Sequence, residues 1–451
     1  MMKPKVLANG LIFSNGFRFK GSVVIEDYLI TRVDVGYTDI SEIPAENYDV
    51  VDCEGKMIFP GVIDEHVHFR EPGMTEKGDI ASESRAAVAG GVTSFFDMPN
   101  TSPQTTTIEA WEAKMARAAE VSAANYAFFL GAANGNIDEI LSADYTRIPG
   151  IKLFMGSSTG GMLVNREDAM RKLFTNFPYV IACHAESEDV IAANRARLLA
   201  QYPEGIPVGL HSTLRSREAC VEATRKAVNL ARETGARLHV MHVTTADELE
   251  FFDAGDVALK RITAETCPHY LCFTSDSVAA TGGLTKCNPA IKEESDRRAL
   301  LRAVTEGKID VIATDHAPHM IASKLGGDAL TTASGMPSVQ FALPVMLQLT
   351  RKGLFTIEDV VEKMSGAPAR LYRMSRRGYV RPHYVADLVI IDPDADYTIK
   401  REDVLSACGW SPYEGMRLNF RVEQTWINGQ PAYVNGEFTG KQTPLALRFD
   451  I

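Results

Sequence analysis

MIFPGVIDEHVHFREPG, residues 57–73, carries an apolar run directly into two histidines one residue apart, then an arginine and a glutamate. Side chains alternate along an extended chain, so His66 and His68 share one side of a strand. Seven more apolar runs follow: VTSFFDMPN (92–100), NYAFFLGA (125–132), GIKLFMG (150–156), YVIACHAE (179–186), RLHVMHVTT (237–245), RITAETCPH (261–269) and IDVIATDHAPH (309–319). Amphipathic segments lie between them, including 108–124, 218–235 and 294–307, the last two ending at Gly as helices often do. Near-continuous apolar strands alternating with helices mark a parallel sheet covered on both faces. Eight such units predict an α/β fold, a closed (β/α)8 TIM-type barrel, with a doubly wound open sheet as the alternative.

The two ends read differently. VLANGLIF, FRFKGSVVIED and LITRVDVG near the start, and ADLVIIDPDADYTI, FRVEQTWINGQ and PAYVNGEF near the end, are short β-rich stretches around Asn-Gly, Gly and Asp turns. This predicts a small β-sandwich domain built from both termini. Its parts are residues 1–57 and 386–451, and the barrel occupies 58–385.

The 451-residue chain carries a formal charge of −11, which argues against a nucleic-acid partner, because phosphate backbones are held by accumulated Lys and Arg. The start has no apolar signal core, and no stretch approaches the roughly 20 apolar residues of a membrane span, so neither membrane association nor export is expected. A cytoplasmic location is. Seven scattered cysteines without a CxxC pair read as reduced core residues rather than a disulfide framework.

Polar chemistry collects at the ends of the apolar runs, where barrel enzymes place their sites. His66, His68 and Arg70 follow run one, Asp97 and Asn100 run two, His184 run five, His242 run six, and Asp315, His316 and His319 run eight. Of ten histidines, eight lie in or just after these runs. One such histidine reads as structural, but a whole rim of them reads as a metal site. Imidazole and carboxylate suit Zn²⁺ and leave positions open for water and substrate. Lys152 sits inside an apolar strand, where burial favours the neutral amine. Beside two dications such an amine can add CO₂ and bridge them as a carbamate; the bland alternative is a lysine paired with a carboxylate or reaching to the rim. For Arg70 that alternative is a rim pair with Glu71. His239, His269, Asp97 and Glu186 read as structural or supporting groups.

HVHFREPG, DMPNTSP, IKLFMG, CHAE, HVTT, CNPAIK and ATDHAPH, in this order, resemble the dihydroorotases of the amidohydrolase superfamily; SPYEGMRL and WINGQ extend the likeness to the β-rich ends. The resemblance implies two Zn²⁺ per subunit. One is held by His66, His68, Lys152 and Asp315, the other by His184, His242 and the same carboxylated Lys152, with a bridging hydroxide. It implies Asp315 as general base and acid. It also implies that Arg70, Asn100 and His319 hold a substrate carboxylate and that Asn288 contacts the pyrimidine ring. The implied reaction is the reversible cyclisation of N-carbamoyl-L-aspartate to L-dihydroorotate in pyrimidine biosynthesis. Family likeness alone suggests a homodimer and an association with aspartate carbamoyltransferase. An allantoinase or hydantoinase is the nearest rival, and a non-catalytic scaffold homologue the rival from another class. Residues 320–335 depart from the family pattern and read as a substrate lid or a surface loop.

Overall fold

The computed structural model describes residues 3–155, 162–164 and 166–450; Gly156, at the end of the fourth apolar run, lies outside them. Each of the eight runs contains a strand: β1 (Val62–Val67), β2 (Val92–Asp97), β3 (Asn125–Phe128), β4 (Gly150–Phe154), β5 (Val180–His184), β6 (Arg237–Val240), β7 (Ile262–Thr266) and β8 (Val311–Ile312). β1, β2 and β3 pair in parallel. The chain of β3 continues past Phe129 into Leu130–Gly131, which pairs with β4, and β4 to β8 follow in parallel. The ring closes between β8 and β1 through a parallel bridge from Val67 to His316 and a 2.7 Å bond from the His68 N–H to the His316 carbonyl. That closure excludes the open sheet.

Helices fill the intervals as the periodicity requires. In α1 (Ile108–Val121), Trp111, Met115 and Ala118 recur at one helical face and are buried, while the Thr107 hydroxyl caps the start by accepting from the Ala110 N–H at 3.1 Å. α2 (Arg217–Thr234) ends at Gly235, whose φ of 73° needs a residue without a Cβ. α3 (Glu294–Thr305) buries Leu300, Leu301 and Val304. Among the described residues no helix is long and apolar enough to cross a membrane, and all seven cysteines are free.

Strands from both termini join in one nine-stranded sheet. Its central seam is Met57–Pro60, antiparallel to Leu388–Asp392, with Met57 opposite Ile391 and Pro60 opposite Leu388. Residues 57–73 therefore divide. MIFP belongs to the terminal sheet, and β1 begins only at Val62, beyond the expected barrel start at 58. The break falls at Gly61, where a Cβ would lie 2.1 Å from the Thr93 hydroxyl and where the N–H donates to the Asp387 carbonyl at 2.8 Å. The far end differs too. Within the expected C-terminal share, 386–451, residues 445–449 leave the sheet: Leu447 bonds to Tyr126, and Leu447 and Phe449 pack with Ile63, Phe96, Phe129 and Tyr372 in the barrel. A barrel interior needs apolar filling, and this tail supplies part of it.

Ring closure leans on Asp64. Its fully buried carboxylate accepts from the Thr314 hydroxyl at 2.6 Å, the Thr314 N–H at 3.1 Å and the His66 N–H at 3.3 Å. Asp64→Ala strands three buried donors and is expected to cost about 2 to 4 kcal/mol, seen as a lowered denaturation midpoint. An unshifted midpoint would show that β8 and β1 close without it.

Candidate metal centre and substrate cavity

Because β1 and β8 are neighbours in the ring, their ends bring His66, His68 and Asp315 together. Both Nε2 atoms approach Asp315 Oδ1, at 3.2 Å and 3.1 Å. The three donor atoms lie within 4.8 Å of one another, all buried, close enough to hold one cation. At the end of β5 and just past β6, His184 Nδ1 stands 2.8 Å from His242 Nε2. Lys152, buried in β4, has its Nζ 2.7 Å from the Met241 sulfur and lines the same cavity as these groups.

The charges fit a site that takes up cations. Burial pushes His68 down to about 4 and holds His184 and His242 below the ordinary imidazole range, so these rings offer lone pairs. Burial also lowers the Lys152 ammonium. Burial opposes ionisation of Asp315, yet His66, His68 and His242 around it keep it well below the usual carboxylate range. His242 Nδ1 is buried with no partner among the described residues. Arg70, His242 and Asp315 hold φ of 70°, 42° and 46°, a left-handed backbone that bulky residues adopt at a cost of about 1 kcal/mol or more and that clusters at functional sites.

Asp97, Glu186, His239 and His269 are the supporting groups the sequence marks, whereas Glu265, Glu65, Arg215, Lys114 and Glu83 have no local signal. Glu265 on β7 accepts from His66 Nδ1 at 2.9 Å and from the His242 N–H at 3.0 Å, orienting one candidate ligand from each half of the site. Behind it, His239 Nε2 lies 2.9 Å from Glu65; despite burial, Glu65 and Glu265 push His239 up to about 10. β1 and β6 are not neighbours, so this pair spans the barrel interior. His184 Nε2 meets Glu186 at 3.1 Å, and Glu186 pairs with Arg215. His68 Nδ1 meets Asn100 at 2.7 Å. Asp97 receives the Phe69 N–H and pairs with buried Lys114, and His316 meets Glu83 at 2.8 Å; both fix the rim. His269 is buried against Tyr270, its ring nitrogens without partners among the described residues.

A cavity of about 500 Å³ opens over these groups, within the size range of small-molecule sites. Arg70, Asn100, Asn288 and His319 all line it. The Arg70 guanidinium donates to the Pro318 carbonyl at 3.1 Å and lies 3.1 Å from His319 Nε2, while Glu71 turns away to Arg117. The rim pair of Arg70 with Glu71 does not form. Burial and the Arg70 charge hold His319 down to about 2, so its ring is neutral. Residues 329–335 of the divergent segment wall the cavity. Lys324 fastens them from within, donating to the carbonyls of Lys286, Ala333 and Gly335 at 2.7 to 2.8 Å.

Residues 57–432 match the Amidohydrolase family, and the chain belongs to it. It is 34% identical to the dihydroorotase of Halobacterium salinarum across 79% of this chain and 82% of that one. It is 33% identical to the dihydroorotase of Pyrococcus abyssi, over 96% of each. The allantoinase of Solibacter usitatus is 32% identical over 99% of this chain and 97% of its own. Among solved structures, the L-hydantoinase (dihydropyrimidinase) of Arthrobacter aurescens superposes with a TM-score of 0.91 at 26% identity, covering 99% of this chain and 100% of that one. The protein is a hydrolase of this family, a TIM barrel with a terminal β-sandwich module.

Glu265→Gln keeps the size of the side chain but removes the charge behind His66. It is expected to weaken metal retention about 10- to 100-fold, measured by chelator competition with metal analysis. Retention equal to the parent would take Glu265 out of that role.

Proposed function

We propose that the chain is a dihydroorotase, closing N-carbamoyl-L-aspartate to L-dihydroorotate and reopening it. The observation that carries this reading is Arg70, a buried guanidinium held beside neutral His319 at the cavity wall near Asp315, with Glu71 drawn off to another partner. A planar fork of N–H donors in a buried wall suits a substrate carboxylate. Dihydroorotate has one and hydantoin has none. The dihydroorotase relatives support the reading; the near-full-length likeness to an allantoinase supports allantoin as the alternative.

His66, His68 and Asp315 would hold one Zn²⁺ and His184 with His242 a second, with Lys152 between them as its carbamate. When bound, such a pair polarises the amide carbonyl and makes water acidic enough to attack at neutral pH. The chain's own groups do the rest. Arg70, Asn100 and His319 grip the carboxylate and fix the ring's orientation, and Asn288 meets the ring. The Asp315 carboxylate accepts the proton of the attacking water and returns it to the departing ring nitrogen. In the direction of ring closure the same proton moves back.

Turnover of dihydroorotate, allantoin and hydantoin by zinc-loaded protein tests the substrate directly; allantoin hydrolysed with dihydroorotate untouched would overturn the proposal. Arg70→Ala is expected to cost about 2 to 4 kcal/mol in kcat/KM for dihydroorotate. Lys152→Ala is expected to lose both turnover and most bound zinc, and full activity with two metals retained would rule out a bridging role.

A further inference from the structure

His211 lies outside the eight apolar runs, on a short helix between β5 and α2. In a ring of eight, β5 stands opposite β1, the strand that carries Arg70 at its end. The ring of His211 is buried, lines the cavity and crosses to the segment after β7. Its Nε2 lies 3.0 Å from the Cys287 carbonyl and 3.0 Å from Asn288 Oδ1. A carbonyl oxygen can only accept, so Nε2 must carry the hydrogen. The other nitrogen, Nδ1, is buried without a partner among the described residues, where the ring's polar contacts are all at Nε2. Burial, with Lys286 and Arg215 nearby, holds His211 well below the ordinary imidazole range, so the ring has this one N–H and no charge.

The tautomer settles which way Asn288 faces. An N–H bond directed at a side-chain amide meets its oxygen, so Oδ1 is committed to His211. The Nδ2 hydrogens are left for the cavity that Asn288 lines. Lys286, in the same wall, adds an ammonium that donates to the Thr332 carbonyl. We infer that His211 is a positioning residue that locks Asn288 as a hydrogen-bond donor, and that this wall receives the carbonyl oxygen lying between the two nitrogens of a cyclic ureide. The inference rests on the cyclic-amide reading of the site. Substrate would then be held at two ends, by its acid group at Arg70 and by its ureide oxygen at Asn288.

The test is steady-state kinetics of the zinc-loaded enzyme and three variants. In His211→Leu the N–H is gone and the Asn288 amide is free to turn round. KM is expected to rise about tenfold or more, with kcat within about threefold and zinc content unchanged. His211→Gln, whose amide can donate to the same two oxygens, is expected to restore KM to within about threefold of the parent. Asn288→Asp keeps an acceptor for His211 but turns a carboxylate oxygen to the cavity, and it is expected to raise KM at least as much. It remains informative if His211→Leu fails to fold. An unchanged KM in His211→Leu or Asn288→Asp overturns the inference, as does a loss in His211→Leu that falls on kcat and zinc and is not rescued by Gln. Dihydroorotate, allantoin and hydantoin all carry the ureide oxygen. Turnover confined to allantoin or hydantoin would therefore overturn the proposed substrate while the same KM comparison still decides the role of His211; no turnover of any of the three would overturn both.

Discussion

One buried carboxylate ties the rim of this barrel to its interior. Glu265 takes the Nδ1 hydrogen of His66 on one side and the backbone N–H of His242 on the other, with the charged His239 and Glu65 behind it. A lone carboxylate at such depth would be strongly disfavoured, since burial penalises the charged form. Here imidazoles supply the compensation and are themselves fixed by it. With Nδ1 of His66 engaged, its Nε2 is left facing Asp315. Geometry at the rim is thus decided by a residue two layers down, which is how a loop-rich surface can hold donor atoms within a few tenths of an ångström.

The same economy governs the left-handed backbone at Arg70, His242 and Asp315. Each sits where a strand must end abruptly and its side chain must turn into the cavity. The backbone strain is held by neighbours: His242 by Glu265, Asp315 by the His66 and His68 rings, Arg70 by the Pro318 carbonyl. Where strained residues and perturbed titrations coincide, chemistry is the usual reason.

Much of this was legible in the chain itself. Strand and helix alternation is a local signal, and a ring of eight follows from counting it. The histidines at strand ends declared the rim for the same reason. What stayed hidden depends on contacts across long separations. Glu265 looks like any glutamate in ITAET until β7 faces β1. The division of MIFPGVIDEHVH at Gly61 depends on Thr93 and Asp387, and the fate of residues 445–449 on Tyr126. His211 carries no motif of its own, and its meaning arises only where it meets Cys287 and Asn288. Lys324 lies in the segment that departs from the family pattern, and its burial among carbonyls has no local sequence signature.

The seam between Met57–Pro60 and Leu388–Asp392 joins segments on opposite sides of the barrel in sequence. During synthesis the early β-strands, whose Leu7, Ile12 and Val23 pack in one cluster with Leu388 and Ile390, complete that core only after residue 392 has left the ribosome. At a typical pace of about 5 to 20 residues per second, that interval is roughly 15 to 65 seconds, spent with apolar strands and unpaired edges open to other chains. Slowing translation within the barrel would lengthen that exposure rather than relieve it.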